Sequence, residues 1–118
     1  MTVMPNSMQA RDIAFHVHPQ TNMRLHQSEG PLILTKGEGV YVWDDAGRKY
    51  IEGMAGLWCA SLGFSNRRLA DVAYEQMKLL PYGHTFYSRG HPPSIDLAEK
   101  LVGLAPVPMS KVMFQCSG

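Results

Sequence analysis

The sequence predicts an α/β construction, and three observations predict it. An antiparallel meander reads across residues 32–52, two amphipathic helices follow at 66–80 and 92–104, and the second helix feeds a strand at 111–115. At 118 residues the chain has the size of one domain. Its hydrophobic content of 45% and charged content of 18% are those of a core-forming segment. A net charge of +1, with no basic run longer than two residues, leaves no electrostatic footprint for nucleic acid or an acidic membrane. Every apolar run falls short of the roughly 20 residues a membrane span needs. The N-terminus carries Arg11 and Asp12 in place of the basic-then-apolar layout of a secretory signal. Cys59 and Cys116 lie far apart without metal-type spacing, so reduced thiols in a cytoplasmic protein are expected.

Taken in order, residues 1–7 read as disordered and residues 11–18 as a short helix closed by Pro19. His16 and His18, two apart, are placed to share a metal ion on an extended segment. No third ligand of suitable type stands nearby in sequence, and His26 is eight residues on in polar surroundings. Packing and hydrogen bonding are therefore expected of them, and no metal site.

Residues 32–35 form a short apolar strand after Pro31, and Lys36-Gly37-Glu38-Gly39 reads as a tight turn. Val40-Tyr41-Val42-Trp43 is rich in β-branched and aromatic residues, as strands are. Asp44-Asp45-Ala46-Gly47 makes a hairpin turn with Gly47 at the left-handed position, and residues 48–52 return. The meander delivers the chain into residues 53–63, an uncharged segment punctuated by Gly53, Gly56 and Gly63 around Leu57-Trp58-Cys59. Such glycines let backbone approach closely or take positive φ, and Trp58 offers a large flat apolar wall. By composition the segment is either a pocket wall or a buried connection with Trp58 as core filler, and composition alone favours the latter.

Asn66 caps the first long helix, whose Leu69, Val72, Ala73, Met77 and Leu80 form one apolar stripe ended by Pro81 and Gly83. An aromatic segment, residues 83–90, follows. The second helix starts on Pro92-Pro93 and turns Leu97, Ala98, Leu101 and Val102 inward. Pro106 and Pro108 lead to the strand at 111–115. The chain then stops at small residues, as though a buried strand were entering a turn, so an N-terminal fragment of a longer protein is expected.

Three segments can supply chemistry. Besides the Trp58 loop and the Phe86-Tyr87 loop, Ser117-Gly118 follows an apolar strand, a recurrent way to open a phosphate-binding turn, although most Ser-Gly pairs are only turns. Cys59 has no sequence-local base and reads as a small buried thiol. His84 and Tyr87 have the chemistry of acid–base groups but more commonly pack, and Arg89 reads as an exposed arginine.

Gly37-Glu38-Gly39-Val40-Tyr41-Val42-Trp43-Asp44, Gly47 and the run from Tyr50 to Cys59 closely resemble class III aminotransferases, pyridoxal 5'-phosphate (PLP) enzymes of fold type I. The Gly-Leu-Trp-Cys form is similar to the ω-amino acid or amine:pyruvate transaminase branch, and it disfavours a decarboxylase or racemase. The likeness continues through Leu80-Pro81, Thr85-Phe86-Tyr87, His91-Pro92 and Ser117-Gly118, nearly the whole chain from His16 onward.

The resemblance implies a fold type I α/β protein, of which residues 1–65 are the N-terminal helix and meander of the small domain. Residues 66–118 would begin the PLP-binding large domain. It implies that Leu57 and Trp58 line the substrate pocket, that Phe86 and Tyr87 line it across a homodimer interface, and that Ser117 and Gly118 hold the cofactor phosphate. Gln20 stands where amine-active relatives often carry an aromatic residue. The Schiff-base lysine, the acidic partner of the pyridine nitrogen and the carboxylate-binding arginine lie beyond the chain in the family. No lysine here matches, so the chain alone is expected to be inactive. Its helix stripes and terminal strand lack partners, so it is also expected to be poorly soluble and rich in exposed apolar surface. The implied partners are an amine or amino-acid donor and a keto-acid acceptor such as pyruvate. The competing reading is a non-catalytic interaction module that keeps the family sequence without binding cofactor.

Overall fold

The computed structural model describes residues 4–116. They fall into two units, one running to Ala70 and one starting at Asp71. In the first, helix α1 (Met8–Phe15) is capped by Ser7, whose hydroxyl accepts the Ala10 amide at 3.1 Å. This helix begins and ends earlier than the sequence predicts, because His16 is already extended at φ −117° on the approach to Pro19. A second helix, α2 (Met23–Glu29), escapes the sequence reading. Its signals are nevertheless ordinary: the Asn22 side chain accepts the Arg24 and Leu25 amides, and Gly30 closes the helix at φ +80°.

Strands β1 (Leu34–Glu38), β2 (Tyr41–Asp44) and β3 (Lys49–Ile51) form an antiparallel sheet in sequence order. The meander is present, with one shift. Residues 36–38 belong to β1, and the turn narrows to Gly39 and Val40, between the paired Glu38 and Tyr41. Gly39 sits at φ +58°, which a two-residue hairpin connection demands at its first position. A bulge separates Leu34 from Lys36.

The second turn is built around Asp44, which is almost fully buried. Its carboxylate accepts the Ala46 amide at 3.0 Å, the Arg48 amide at 2.8 Å, Arg48 Nε at 2.6 Å and the Tyr50 hydroxyl at 2.8 Å. Gly47 takes φ +77° as expected. Burial alone would raise the Asp44 pKa. The Tyr50 hydroxyl and the Arg48 amide and guanidinium outweigh it and bring the group from its usual 3.8 down to about 2. The same contact raises the Tyr50 pKa. Val42 is the one buried apolar side chain among the described residues.

Helix α3 (Arg67–Leu79) starts at Asn66, whose side chain accepts the Leu69 amide at 3.3 Å. Helix α4 (Pro92–Leu104) begins on the two prolines. The expected exposed apolar surface is present on both helices, while the expectation that the α4 stripe faces inward is corrected. Leu69, Val72 and Met77 are all more than half exposed, and Leu97 and Leu101 are 48% and 40% exposed, because no described element covers them. The strand expected at 111–115 is likewise absent. Those residues are irregular, since a strand needs a neighbour to satisfy its backbone and none pairs with them here. Cys59 and Cys116 are free, and Cys59 is exposed rather than buried as expected.

Candidate functional site

Residues 53–63 leave β3 and return to the turn they started from. At the outgoing end the Glu52 amide donates to Val40 O at 3.0 Å. At the incoming end Phe64 and Gly39 exchange both backbone hydrogen bonds, at 2.8 and 3.1 Å, and the Ser65 hydroxyl donates to Gly37 O at 2.6 Å. The segment is therefore a closed loop whose ends meet on one hairpin. Two close approaches allow that. A Cβ on Gly37 would lie 2.8 Å from Phe64 Cβ, and one on Gly63 would lie 3.2 Å from Gly39 O.

Inside the loop, Ala55, Gly56, Leu57 and Trp58 all have positive φ, between 47° and 68°. The Trp58 amide donates to Met54 O at 2.9 Å, closing one left-handed helical turn. Left-handed backbone costs an L-residue roughly 1–2 kcal/mol, so something must enforce it. Part of the enforcement is the Glu52 carboxylate, which accepts the Met54 amide at 3.1 Å and the Gly56 amide. The turn pushes its side chains outward, leaving Leu57 60% and Trp58 80% exposed. Trp58 is covered by none of the described residues. It is a displayed indole on a braced turn.

Phe86 and Tyr87 lie in the second unit, on a single 3₁₀ turn, Phe86–Ser88. Tyr87 and Ser88 are again left-handed, at φ 55° and 60°. Support is thinner here. The Arg89 amide donates to Phe86 O at 3.3 Å, and the Arg89 guanidinium donates to His84 Nε2 at 2.6 Å. Phe86 lines a concavity of about 480 Å³ with His84, His91, Leu97 and Phe114, whereas Tyr87 stays outside it and is 93% exposed. In the first unit a concavity of about 450 Å³ is lined by Leu34, Lys36, Val42, Glu52, Gly56 and Phe64, without Leu57 or Trp58.

Among the described residues eight non-glycine positions have positive φ, and five of them are Ala55, Leu57, Trp58, Tyr87 and Ser88. A sixth is Gln20. Three of the eight, Leu57, Trp58 and Tyr87, are residues the sequence assigns to a pocket, while Phe86 keeps negative φ. Sequence reasoning missed Glu52 and the Gly37–Phe64 approach. An acidic residue directly before a glycine-rich loop is the signal that would have found the former.

Ser117 and Gly118, the expected cofactor residues, lie outside the described residues. Of the lysines, Lys36 pairs with Glu38 at 3.1 Å and lies over Trp43, Lys49 lies over Tyr41 at 3.6 Å, and Lys78 pairs with Glu75 at 3.0 Å.

Comparisons with known proteins bear on this arrangement. The family model described as Aminotransferase class-III matches residues 24–118. Putrescine–pyruvate aminotransferase of Pseudomonas aeruginosa is 40% identical over 103 residues, covering 87% of this chain and 23% of that protein. The omega transaminase from Pseudomonas jessenii in complex with PMP is 58% identical with a TM-score of 0.85, over 89% of this chain and 23% of that one. A thermostable omega transaminase variant, W58G in its own numbering, was engineered for asymmetric synthesis of enantiopure bulky amines. It is 55% identical, with a TM-score of 0.85, over 89% of this chain and 23% of that one. The chain thus spans about a quarter of the length of these relatives. With most of its length matched in sequence and backbone, the chain belongs to the class III aminotransferase family.

Proposed function

We propose that this chain supplies part of a PLP-dependent omega-transaminase that moves an amino group from an amine or amino acid to a keto acid such as pyruvate. The observation that carries the reading is the joint sequence and backbone likeness to omega transaminases along most of the chain. The braced display of Leu57 and Trp58 supports the same conclusion from the geometry.

Within that function Leu57 and Trp58 form one apolar wall, which orients the substrate and excludes water from it. Phe86 and Tyr87 form a second wall contributed across a homodimer interface. Ser117 and Gly118 hold the cofactor phosphate through backbone N–H groups, where small residues permit close approach. Bound PLP supplies the electron sink for the transfer. The lysine that anchors it is not one of those in this chain. Residues 1–65 belong to the small domain, 66–118 begin the large one, and the location is cytoplasmic. No helix among the described residues is long and apolar enough to cross a membrane. The reading as a non-catalytic module gains nothing from the fold.

The test is to graft residues 16–118 in place of the matching segment of the Pseudomonas jessenii omega transaminase and to assay pyruvate-dependent consumption of amines graded by bulk. The graft is expected to be active, and Trp58→Gly within it to widen acceptance toward bulkier amines. An unchanged size profile in both Trp58→Gly and Phe86→Leu grafts would overturn the assignment of the walls. The 118-residue chain alone, mixed with PLP and freed of excess, is expected to show no retained cofactor absorption. A stable band there contradicts the placement of the anchoring lysine elsewhere.

A further inference from the structure

Away from the pocket loops, α1 and α2 bring four side chains together around one carboxylate. Asp12 stands on α1, His16 caps it, His18 lies two residues on, and His26 comes from α2. Asp12 Oδ1 is 3.1 Å from His16 Nδ1, while Oδ2 is 2.8 Å from His18 Nε2 and 3.2 Å from His26 Nε2. The rings of His16 and His18 are 4.3 Å apart by centroid, and those of His18 and His26 4.7 Å. The sequence expectation that His16 and His18 lack a further ligand nearby is corrected. Asp12 is one helical turn before His16, and the fold delivers His26.

A hydrogen-bonded knot of imidazoles around a carboxylate accounts for three of these residues and leaves the fourth over. The His26 side chain is 95% buried, yet its Nε2, facing Asp12, has no hydrogen-bond partner. Buried ring nitrogens are rarely left so. It lies 3.2 Å from Asp12 Oδ2, the same oxygen that meets His18 Nε2 at 2.8 Å. The ligand atoms of Asp12, His16 and His18 all lie within 4.8 Å of one another, against edges of about 3.3 Å in a tetrahedral site with bonds near 2.0–2.1 Å.

We propose that Asp12, His16, His18 and His26 form a binding site for one divalent transition-metal ion, with Zn2+ the ion best matched by three imidazoles and one carboxylate. Borderline nitrogen ligands and a small coordination number exclude Ca2+ and Mg2+, which require oxygen ligands. The metal takes a lone pair from each imidazole, so any proton on the metal-facing nitrogens is released on binding. All four protein ligands fill the tetrahedron, which makes the site structural. It ties α1, the His16–His18 segment and α2 together where His26 is the one buried residue of the two helices.

The experiment is competition of the metal-stripped 118-residue chain against a chromophoric chelator for Zn2+, with Co2+ as a spectroscopic substitute. One equivalent is expected to bind, with the intense visible absorption of tetrahedral Co2+ and no thiolate charge-transfer band. His26→Gln and Asp12→Asn are each expected to weaken Zn2+ binding on the order of tenfold or more, while His84→Gln and His91→Gln leave it unchanged. Failure of wild type to compete for Zn2+ overturns the proposal, as does equal weakening by all four variants, the outcome for an unfolded chain. Octahedral Co2+ or a thiolate band overturns it too. None of these readouts depends on transaminase activity.

Discussion

The two aromatic loops share a backbone device and differ in what holds it. Residues 53–63 and 83–90 each present an aromatic side chain from left-handed backbone, Trp58 at φ 68° and Tyr87 at φ 55°. The first is tied at both ends to a hairpin and braced within by Glu52. The second rests on one 3₁₀ turn and the Arg89–His84 contact. Similar local geometry therefore has unequal support. The Trp58 turn is preorganised by its own chain, whereas the Tyr87 segment takes little ordering from residues near it.

The largest effect is expected from the foundation of the braced loop. Asp44→Ala strips four hydrogen bonds from the turn that aligns β2 with β3, leaving the Tyr50 hydroxyl and Arg48 without their acceptor. It should lower the unfolding midpoint more than any other substitution named here, read by Trp43 fluorescence in denaturant. The same group predicts an acid transition. Its folded pKa is depressed from 3.8 to about 2, so its stabilisation is complete above the former and is lost as pH falls toward the latter. The 83–90 segment has no such carboxylate. Hydrogen exchange at acid pH should thus loosen the 39–52 amides first, and a uniform loss along the chain would break the contrast.

Next comes the seat of the loop. Gly37→Val drives a side chain into Phe64 and should cost about 1–3 kcal/mol as overpacking, with new protease cleavage within 53–63. Unchanged protection of that loop would show that the Gly39–Phe64 pairing does not anchor it. Glu52→Gln keeps the shape and weakens the acceptor, with an expected loss of about 1 kcal/mol. Its readout is faster exchange of the Met54 and Gly56 amides without change at Arg89.

What was legible in the sequence follows the range of the interactions. Turns set by local chemistry were readable, because Asp44 with Gly47, Asn66, and Pro92 with Pro93 act on their own neighbours. The strand at 111–115 was not, since an apolar run becomes a strand only beside a partner. The helix stripes were located correctly, and their exposure was expected from the lack of partners; only the inward facing of Leu97 and Leu101 was misjudged. At the candidate site, the identity of Trp58 and Phe86 came from resemblance. The left-handed backbone of Leu57, Trp58 and Tyr87 was hidden, because only Gly56 near them advertises positive φ. The Asp12 cluster escaped for a related reason: His26 reaches it through α2, a helix whose caps were overlooked.

The smallest expected effect separates the two loops most cleanly. Changing Trp58 to Gly or to Ala removes the same exposed indole, so the difference between the two variants reports backbone alone. Glycine is relieved of roughly 1–2 kcal/mol of left-handed cost but surrenders about 0.5–1 kcal/mol of unfolded-chain entropy. Where the conformation is enforced, Trp58→Gly should therefore be more stable than Trp58→Ala by about 0.5–1 kcal/mol. At position 87 the weaker support lets an alanine relax out of the left-handed region. There, Tyr87→Gly and Tyr87→Ala should differ little, or in alanine's favour. A glycine advantage at 87 equal to that at 58 would mean that both turns are held with equal force, and that the contrast between a braced and a thinly supported turn is wrong.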